Sequence, residues 1–240
     1  MNSRRNFLKA ATVGAVGMAA SVGAVEAAEV SKTSPKNTPY DLIVLGAGCG
    51  GLVCSVRAAE VGLKVLLLEK MGMPFGNTVY AAGFMLGVNT SFQKGKDLPP
   101  DSVDAFYADM MKVSQQKADP KLTRKVAEEC TQTLEWLHSF CGIQFAAGSK
   151  LVWPMLSRAH LVQGEVKPGG GQLARQLLEK AKSLGVEVRF NTKAIELLRD
   201  PKTGGVTGVK TQTKEGLSDV FSKHGVVVAT GGFSADRKSV

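Results

Sequence analysis

The sequence predicts an α/β protein in which helices cover a parallel sheet and a further β segment is added. Two short apolar runs, residues 41–45 and Val65–Leu68, are typical of strands buried on both faces. Between them, residues 52–61 have the apolar spacing of a helix, which Gly62 ends. The 27 glycines suit glycine-bearing turns, and a hydrophobic content of 44% excludes a disordered chain.

The remaining elements follow in order along the chain. Asp119 and Pro120 are a capping acid and a first-turn proline, and they predict a helix that reaches Leu137. A second helix is predicted over residues 172–184, after Gly169, Gly170 and Gly171. The added β segment is predicted around residues 186–190 and 205–211, and a last buried strand over 226–229.

Charge and cysteine content exclude several classes of function. The net charge is +9, but the basic residues are scattered, which disfavours nucleic acid as a partner and favours small anionic molecules. The four cysteines form no CxxC or CxxCH, so a zinc site, a dithiol motif and an attached haem are unsupported, and we predict no metal site. After the N-terminus, no apolar run is long enough to predict a membrane span.

The first 39 residues have the pattern of an export signal and a leader. Residues 3–9, Ser-Arg-Arg-Asn-Phe-Leu-Lys, precede a mildly apolar stretch and small residues that end at Ala27. The run resembles a bacterial twin-arginine signal, which is read by a receptor. We therefore predict a signal peptide over 1–27, a flexible leader over 28–39 and a periplasmic or exported protein. The alternative is a helical membrane anchor.

A GxGxxG motif follows the first predicted strand directly. Gly46 permits the tight turn from strand to helix, Gly48 lets the backbone approach a pyrophosphate, and Gly51 lets helix and strand pack closely. The helix N-terminus offers N–H groups and the positive end of its dipole to phosphates. Strand, glycines, helix and second strand in this order predict a dinucleotide site. The alternative is an ordinary βαβ turn.

Glu69 ends the second predicted strand, where a carboxylate accepts hydrogen bonds from ribose hydroxyls. An acid at this place disfavours the 2′-phosphate of NADP. The motif alone leaves NAD and FAD open.

The segment after Glu69 is an irregular loop where an NAD-binding domain would continue into another βα unit. It reads Glu-Lys-Met-Gly-Met-Pro-Phe-Gly-Asn-Thr-Val-Tyr-Ala-Ala-Gly-Phe over residues 69–84. This resembles the flavoprotein subunits of the fumarate reductase/succinate dehydrogenase family, and within it the soluble, exported flavocytochrome-like reductases. The Arg158-Ala159-His160 run before the three glycines and the Ala229-Thr230-Gly231-Gly232-Phe233 run extend the resemblance beyond residue 40.

The resemblance implies a Rossmann-like FAD-binding domain and FAD as the cofactor. Residues 40–240 match the first FAD-binding segment of the family, so a capping domain and a C-terminal FAD segment are expected outside this chain. Fifteen positions match cofactor contacts of the family: Gly46, Ala47, Gly48, Gly50 and Gly51 at the pyrophosphate, Glu69 and Lys70 at the ribose, Asn77, Thr78, Ala82 and Gly83 at the flavin, Ala194 near the adenine, and Ala229, Thr230 and Gly231 closing the groove.

Two positions depart from the pattern of the family, and a third differs from its membrane-bound members. Phe75 and Phe84 stand where the family usually has glycine, and the ring of Phe84 puts fumarate itself in doubt as the substrate. Asn77 stands where membrane-bound members attach the flavin to a histidine, so we predict non-covalent FAD. The family's usual proton donor is an arginine in a later segment, and we nominate no catalytic residue in this chain.

Other reactive side chains are expected to be structural. His138 is expected at the surface or the edge of the core, His224 to be exposed, and Arg158 with His160 to form a structural pair. The Cys49 and Cys54 thiols are expected to fill space.

The resemblance implies an FAD-dependent oxidoreductase that reduces an activated C=C bond, fumarate-like or another enoate. Electrons would come from a separate donor such as a cytochrome c or a quinol-linked protein, and this chain alone is not expected to be active. Three alternatives stay open. They are a dehydrogenase of a steroid-like or apolar substrate, a truncated non-catalytic flavoprotein, and an NAD-binding module.

Overall fold

The computed structural model describes residues 40–93, 98–149, 156–165 and 169–232. The predicted signal peptide and leader lie outside the described residues. The described residues form two compact units, one of residues 40–77 with 177–232 and the other of described residues between 78 and 176. No helix among the described residues is long and apolar enough to cross a membrane.

Ten strands and five helices are described, together with short 3₁₀ turns at Ser91–Gln93 and Leu156–Arg158. In chain order they are β1 (Leu42–Leu45), α1 (Cys49–Glu60), β2 (Val65–Leu68), α2 (Asn77–Tyr80), β3 (Phe84–Leu86), α3 (Val103–Val113), α4 (Pro120–Ser139), β4 (Phe145–Ser149), β5 (Ala159–Val162), α5 (Gly170–Ser183), β6 (Glu187–Arg189), β7 (Lys193–Arg199), β8 (Val206–Thr213), β9 (Gly216–Phe221) and β10 (Val226–Val228).

The first unit contains the predicted parallel sheet. Its strand order is β10-β1-β2-β6, and all neighbours run parallel. Every residue of β1 and β2 is buried, as their continuous apolar runs predict. Leu45 pairs with Leu68 and with Val228, so three strands end at the same edge. The α/β fold class is confirmed.

A second, antiparallel sheet of order β7-β8-β9 belongs to the same unit. Val209 and Val220 of this sheet join one apolar cluster with Ile43 and Leu66 of the parallel sheet. The cluster is buried in the first unit, where Ala194 of β7 packs against it. An added β segment is therefore present and packs against the parallel sheet. Its predicted bounds are wrong in part: residues 206–211 lie in β8 of this sheet, whereas residues 186–190 contain β6, which pairs in parallel with β2 and belongs to the parallel sheet.

A polar network lies before the first strand. The Tyr40 hydroxyl donates to Oε2 of Glu187 at 2.5 Å and accepts from Nη2 of Arg189 at 2.7 Å. Burial, together with the bond to the Glu187 carboxylate, raises the pKa of Tyr40 to about 12. The protonated phenol thus ties β6 to the residue that precedes β1.

The second unit is formed by a three-stranded antiparallel sheet of order β3-β5-β4 and two helices. The Asp119 carboxylate accepts from the Leu122 N–H at 2.8 Å, so the predicted cap of α4 is confirmed. Sequence reasoning did not predict α3, which Ser102 caps by accepting from the Ala105 N–H at 3.0 Å. Phe106 of α3 and Ala127 of α4 are buried in one apolar cluster.

Arg158 is a fully buried cation in the second unit, with 1% of its surface exposed. Its Nε and Nη2 donate to the two oxygens of Asp101 at 2.6 and 2.7 Å, and its Nη1 donates to Asp109 at 2.6 Å. The guanidinium also lies 4.9 Å from the centre of the Phe106 ring. The bonds to Asp101 are the main reason that the pKa of Arg158 is raised. Arg158 therefore joins β5 to α3 and the segment before it.

The Tyr40 network predicts a specific loss of stability at high pH. The pKa of Tyr40 rises from its ordinary value of 10.0 to about 12 on folding. The protonated phenol therefore stabilises the fold fully below pH 10.0, and this stabilisation is lost as the pH rises to about 12. We expect Tyr40→Phe to be less stable at pH 8 by about 1 kcal/mol, the usual net value of a hydrogen bond. Between the two pKa values this difference should shrink.

Urea unfolding followed by circular dichroism across this pH range measures the effect. Tyr80→Phe is the control, because the Tyr80 side chain is 75% exposed. A difference between wild type and Tyr40→Phe that stays constant with pH would contradict the assignment.

The Arg158 cluster predicts a large loss of stability on truncation. Arg158→Ala leaves the Asp101 and Asp109 carboxylates without their buried cation, and breaking such a pair costs about 3–5 kcal/mol. Arg124→Ala is the matched control, because Arg124 pairs with Asp104 at the surface, and we expect little change there. Urea midpoints of the two variants compare the two sites, and equal midpoints would contradict the prediction.

Candidate functional site

The predicted turn after β1 brings the glycine motif against the last strand. Gly46 has φ +99°, and its N–H donates to the Leu68 carbonyl at 2.7 Å. A Cβ on Gly46 would lie 2.6 Å from the Ala229 carbonyl oxygen. Ala229 is in turn fixed by its N–H, which donates to the Leu45 carbonyl at 2.9 Å. Two segments that the sequence predicts to share one site, 46–51 and 229–231, are thus in contact.

The N-terminus of α1 has the features of an anion site. A Cβ on Gly51 would lie 1.8 Å from the Gly46 carbonyl oxygen, so the helix approaches the strand as predicted. Gly48 is the N-cap and forms no side-chain cap, whereas Ser102 and Asp119 cap α3 and α4. The first turn of α1 carries no acid, and a Cβ on Gly50 would meet nothing within 4 Å. Open space therefore lies beside uncapped, positively polarised backbone.

Glu69 is the best-defined polar group of the site. It is buried, with 6% of its surface exposed. Its Oε2 accepts from the Ala47 N–H at 2.8 Å, and its Oε1 accepts from the Met71 N–H at 2.9 Å. A carboxylate oxygen can accept two hydrogen bonds, so each oxygen keeps capacity for a hydroxyl donor. Lys70, which follows Glu69, is exposed.

The segment between β6 and β7 holds Glu69 from its other side. The Thr192 N–H donates to the Glu69 carbonyl at 2.9 Å, and the Asn191 N–H donates to the Met71 carbonyl at 2.9 Å. Ala194 follows in β7 and is half-buried. The sequence assigns Ala194 to the adenine, which stays a prediction, and it did not single out Asn191 or Thr192. Asn191 has φ +51°, a backbone conformation in which asparagine is enriched. An asparagine just after a predicted strand was therefore the sequence signal for a turn at this place.

The Cys49 thiol lies inside the glycine motif. A helix N-terminus ordinarily lowers the pKa of a cysteine. Here burial raises the pKa of Cys49 and of Cys54, so both thiols are neutral at physiological pH. Cys49 therefore adds no negative charge that would repel a phosphate.

The residues that the sequence assigns to the flavin are divided between the two units. Asn77 begins α2, is exposed, and is the last residue of the first segment of the first unit. Thr78, Ala82 and Gly83 belong to the second unit, where Ala82 is exposed and Gly83 is buried with φ +83°. Of the groove-closing residues, Thr230 and Gly231 are exposed.

Two of the three histidines lie where the sequence predicts, since His138 is half-buried on α4 and His224 is exposed. His160 is fully buried, and its Nε2 is 2.9 Å from the Thr90 hydroxyl. Because that hydroxyl donates to Oε1 of Gln93, the Nε2 of His160 is the donor. The described bonds of Arg158 go to Asp101 and Asp109, and the pairing of Arg158 with His160 stays a prediction. In the described part of the chain, no group of three or more His, Cys, Asp and Glu residues could hold a metal ion.

The sequence of the chain is similar to those of known FAD-binding proteins. Residues 41–240 match the family model described as "FAD binding domain". The chain is 32% identical over 207 residues to an NADH:fumarate oxidoreductase of Klebsiella pneumoniae, covering 86% of this chain and 22% of that protein. It is 30% identical over 248 residues to the acrylate reductase flavoprotein subunit of Shewanella woodyi, covering 96% of this chain and 46% of that subunit. The chain thus spans less than half the length of these relatives.

A solved structure shares the fold. The 3-ketosteroid-Δ4-(5α)-dehydrogenase of Rhodococcus jostii, in complex with 4-androstene-3,17-dione, superposes with a TM-score of 0.73. Its sequence is 28% identical, and the match covers 87% of this chain and 49% of that one.

The uncapped helix, the glycine contacts and the buried acid fit the diphosphate and ribose of a dinucleotide, and the family model identifies that dinucleotide as FAD. The chain belongs to the FAD binding domain family of flavin-dependent oxidoreductases.

Proposed function

We propose that this chain binds FAD non-covalently for an oxidoreductase that reduces a C=C bond conjugated to a carboxylate. The observation that carries the binding part is the buried Glu69 carboxylate, which accepts from the Ala47 N–H inside the glycine motif and from the Met71 N–H. The reductase part is supported by the names of the relatives, which act on fumarate and acrylate. Both substrates are alkenes conjugated to a carboxylate.

In this proposal each part of FAD has its own residues. The pyrophosphate binds at Gly46, Ala47, Gly48, Gly50 and Gly51, where the helix dipole stabilises its charge. Glu69 accepts from the ribose hydroxyls, and Lys70 lies beside them. The other contacts are Ala194 for the adenine, Asn77, Thr78, Ala82 and Gly83 for the flavin, and Ala229, Thr230 and Gly231 for the edge of the groove.

Bound flavin supplies hydride chemistry, while the residues of this chain bind and orient it. The N–H groups at the start of α1 need no reorganisation when the diphosphate binds. The turn before them is already fixed, because the Ala47 N–H donates to Glu69 and α1 packs closely on Gly46. We place the proton donor for the alkene outside this chain.

Electrons reach the flavin from a separate donor, such as a cytochrome c or a quinol-linked protein. We further propose export to the periplasm through the twin-arginine route. The match to the acrylate reductase subunit covers 96% of this chain, so it includes most of the predicted signal and leader.

A dehydrogenase of a steroid-like substrate is the second candidate. Phe84 favours it, because a ring that is 39% exposed stands where the family usually has a glycine. The superposed steroid dehydrogenase supports the same candidate. Aromatic surface beside a flavin suits a flat apolar substrate better than a small dicarboxylate.

We expect Glu69→Gln to weaken FAD binding about tenfold or more. The amide loses the negative charge, and its NH2 group, a donor, faces one of the two N–H groups that now donate to the carboxylate oxygens. Glu215→Gln is the matched control, because Glu215 is exposed on the turn between β8 and β9. Titration of apoprotein with FAD, followed by flavin fluorescence, measures both affinities.

Acid precipitation of the holoprotein tests the mode of attachment. We expect a colourless pellet and yellow supernatant, and a yellow pellet would show covalent flavin. Wild-type protein that retains NAD and lacks flavin absorbance would refute the FAD proposal altogether.

The substrate proposal is tested by anaerobic oxidation of reduced viologen by holoprotein of the natural full-length gene product. We expect enoates to oxidise the reduced viologen. The dehydrogenase direction needs the opposite assay, in which a 3-ketosteroid reduces an oxidised dye, and we expect no turnover there. We also expect Phe84→Ala to raise turnover of fumarate relative to bulkier enoates by about tenfold, the usual scale for reshaping an apolar pocket. Leu122→Ala, at a side chain that is 63% exposed on α4, should leave that ratio unchanged. Turnover with ketosteroids alone would replace this proposal by the second candidate.

A further inference from the structure

Residues 78–83, which comprise the end of α2 and the turn before β3 and are called the flavin loop, contain three of the four residues assigned to the flavin. This loop packs against glycines at the start of α5. We propose that Gly169 and Gly170 are positioning residues that hold this loop in the place that the flavin requires. The proposal rests on the proposed function, because the role of the loop comes from there. All these residues belong to the second unit.

The first contact joins α5 to the beginning of the loop. The Gly170 N–H donates to the Ala81 carbonyl at 2.9 Å, and the Ala81 N–H donates to the Thr78 carbonyl at 3.2 Å. A Cβ on Gly170 would lie 1.8 Å from the Thr78 carbonyl oxygen and 3.1 Å from the Ala81 Cβ. Any side chain at position 170 would therefore displace the Thr78 peptide.

The second contact joins Gly169 to the end of the loop. Gly83 has φ +83°, and a Cβ there would lie 2.4 Å from the Gly169 Cα and 3.0 Å from the Gly170 nitrogen. The Gly83 carbonyl accepts from the Val162 N–H at 3.0 Å, beside the start of β3. Both ends of the loop are thus fixed by backbone approaches that leave no room for a side chain.

The opposite face of the loop is open. Tyr80, Ala81 and Ala82 are exposed, whereas Gly83 is buried against the glycines. Because the contacts on the buried side involve backbone atoms, no change of rotamer can relieve a clash there. A displacement of Gly170 would move Thr78, and through it the residues assigned to the flavin.

Gly170→Ala tests this role, with Gly171→Ala as the matched control. A Cβ on Gly171 would lie 3.8 Å from the nearest atom, the Val79 carbonyl oxygen, which is ordinary contact. Both substitutions replace glycine by alanine in the first turn of the same helix, so helix propensity changes equally. The full chain is titrated with FAD and, separately, with ADP, which lacks the flavin.

We expect Gly170→Ala to weaken FAD binding about tenfold or more and to shift the visible spectrum of the remaining bound flavin, while ADP affinity stays within about twofold. Gly171→Ala should bind both ligands as the wild type does. The proposal is overturned if Gly170→Ala binds FAD as tightly as Gly171→Ala, or if it loses FAD and ADP in equal proportion.

Gly169→Ala keeps the test decisive if Gly170→Ala does not fold. Its Cβ would lie 3.4 Å from the Ala81 carbonyl oxygen, a milder approach, although φ +138° adds strain. Weaker FAD binding with unchanged ADP binding supports the proposal, and wild-type FAD binding overturns it. Wild-type protein that binds no FAD would refute the proposed function itself, which separates the two failures.

Discussion

The close approach of α1 to the end of β1 is the constraint on which the nucleotide end of the first unit depends. A Cβ on Gly51 would almost coincide with the Gly46 carbonyl oxygen, at 1.8 Å. The same turn is closed from the other side by Ala229, whose carbonyl oxygen would lie 2.6 Å from a Cβ on Gly46. A side chain at either glycine would therefore push apart the helix, the first strand and the last strand together. Close packing of backbone is what brings positions nearly 180 residues apart into one site.

Buried charge is stabilised in two different ways in the two units. The described hydrogen bonds of the Glu69 carboxylate come from backbone groups, the Ala47 N–H and the Met71 N–H. Arg158 is held by two carboxylates. The first solution leaves acceptor capacity on a carboxylate at the edge of open space, which suits a site that binds hydroxyls. The second commits all three guanidinium nitrogens to carboxylates, and it suits a residue whose task is to join elements.

The nucleotide half of the fold could be predicted from sequence because its signals are local. The runs 41–45 and Val65–Leu68, the motif glycines and Glu69 all lie within 30 residues, and each has a single physical reason. The sheet β3-β5-β4 could not be predicted in this way. Its strands have three to five residues, and Phe84 pairs with Leu161, far along the chain.

The helix α3 was predictable, since Ser102 is a good N-cap with Asp104 in the first turn. The contact of Gly170 with Thr78 was not, because three consecutive glycines do not reveal which one faces a carbonyl oxygen.

The charges around the glycine motif explain why this site suits an anion. The first turn of α1 contains no acid, and Gly48 offers no side-chain acceptor to the helix N–H groups. The nearest carboxylate, Glu69, points its two oxygens at backbone donors, so their N–H dipoles offset part of its field. Burial raises the pKa of Cys49, which keeps the one ionisable group of the motif neutral. The open side of the site therefore presents the positive end of the α1 dipole, which attracts a diphosphate. The Glu69 carboxylate can still accept a hydrogen bond from the adjoining ribose. The glycine motif therefore gives close approach, and the arrangement of Glu69 and Cys49 gives that approach the correct sign of charge.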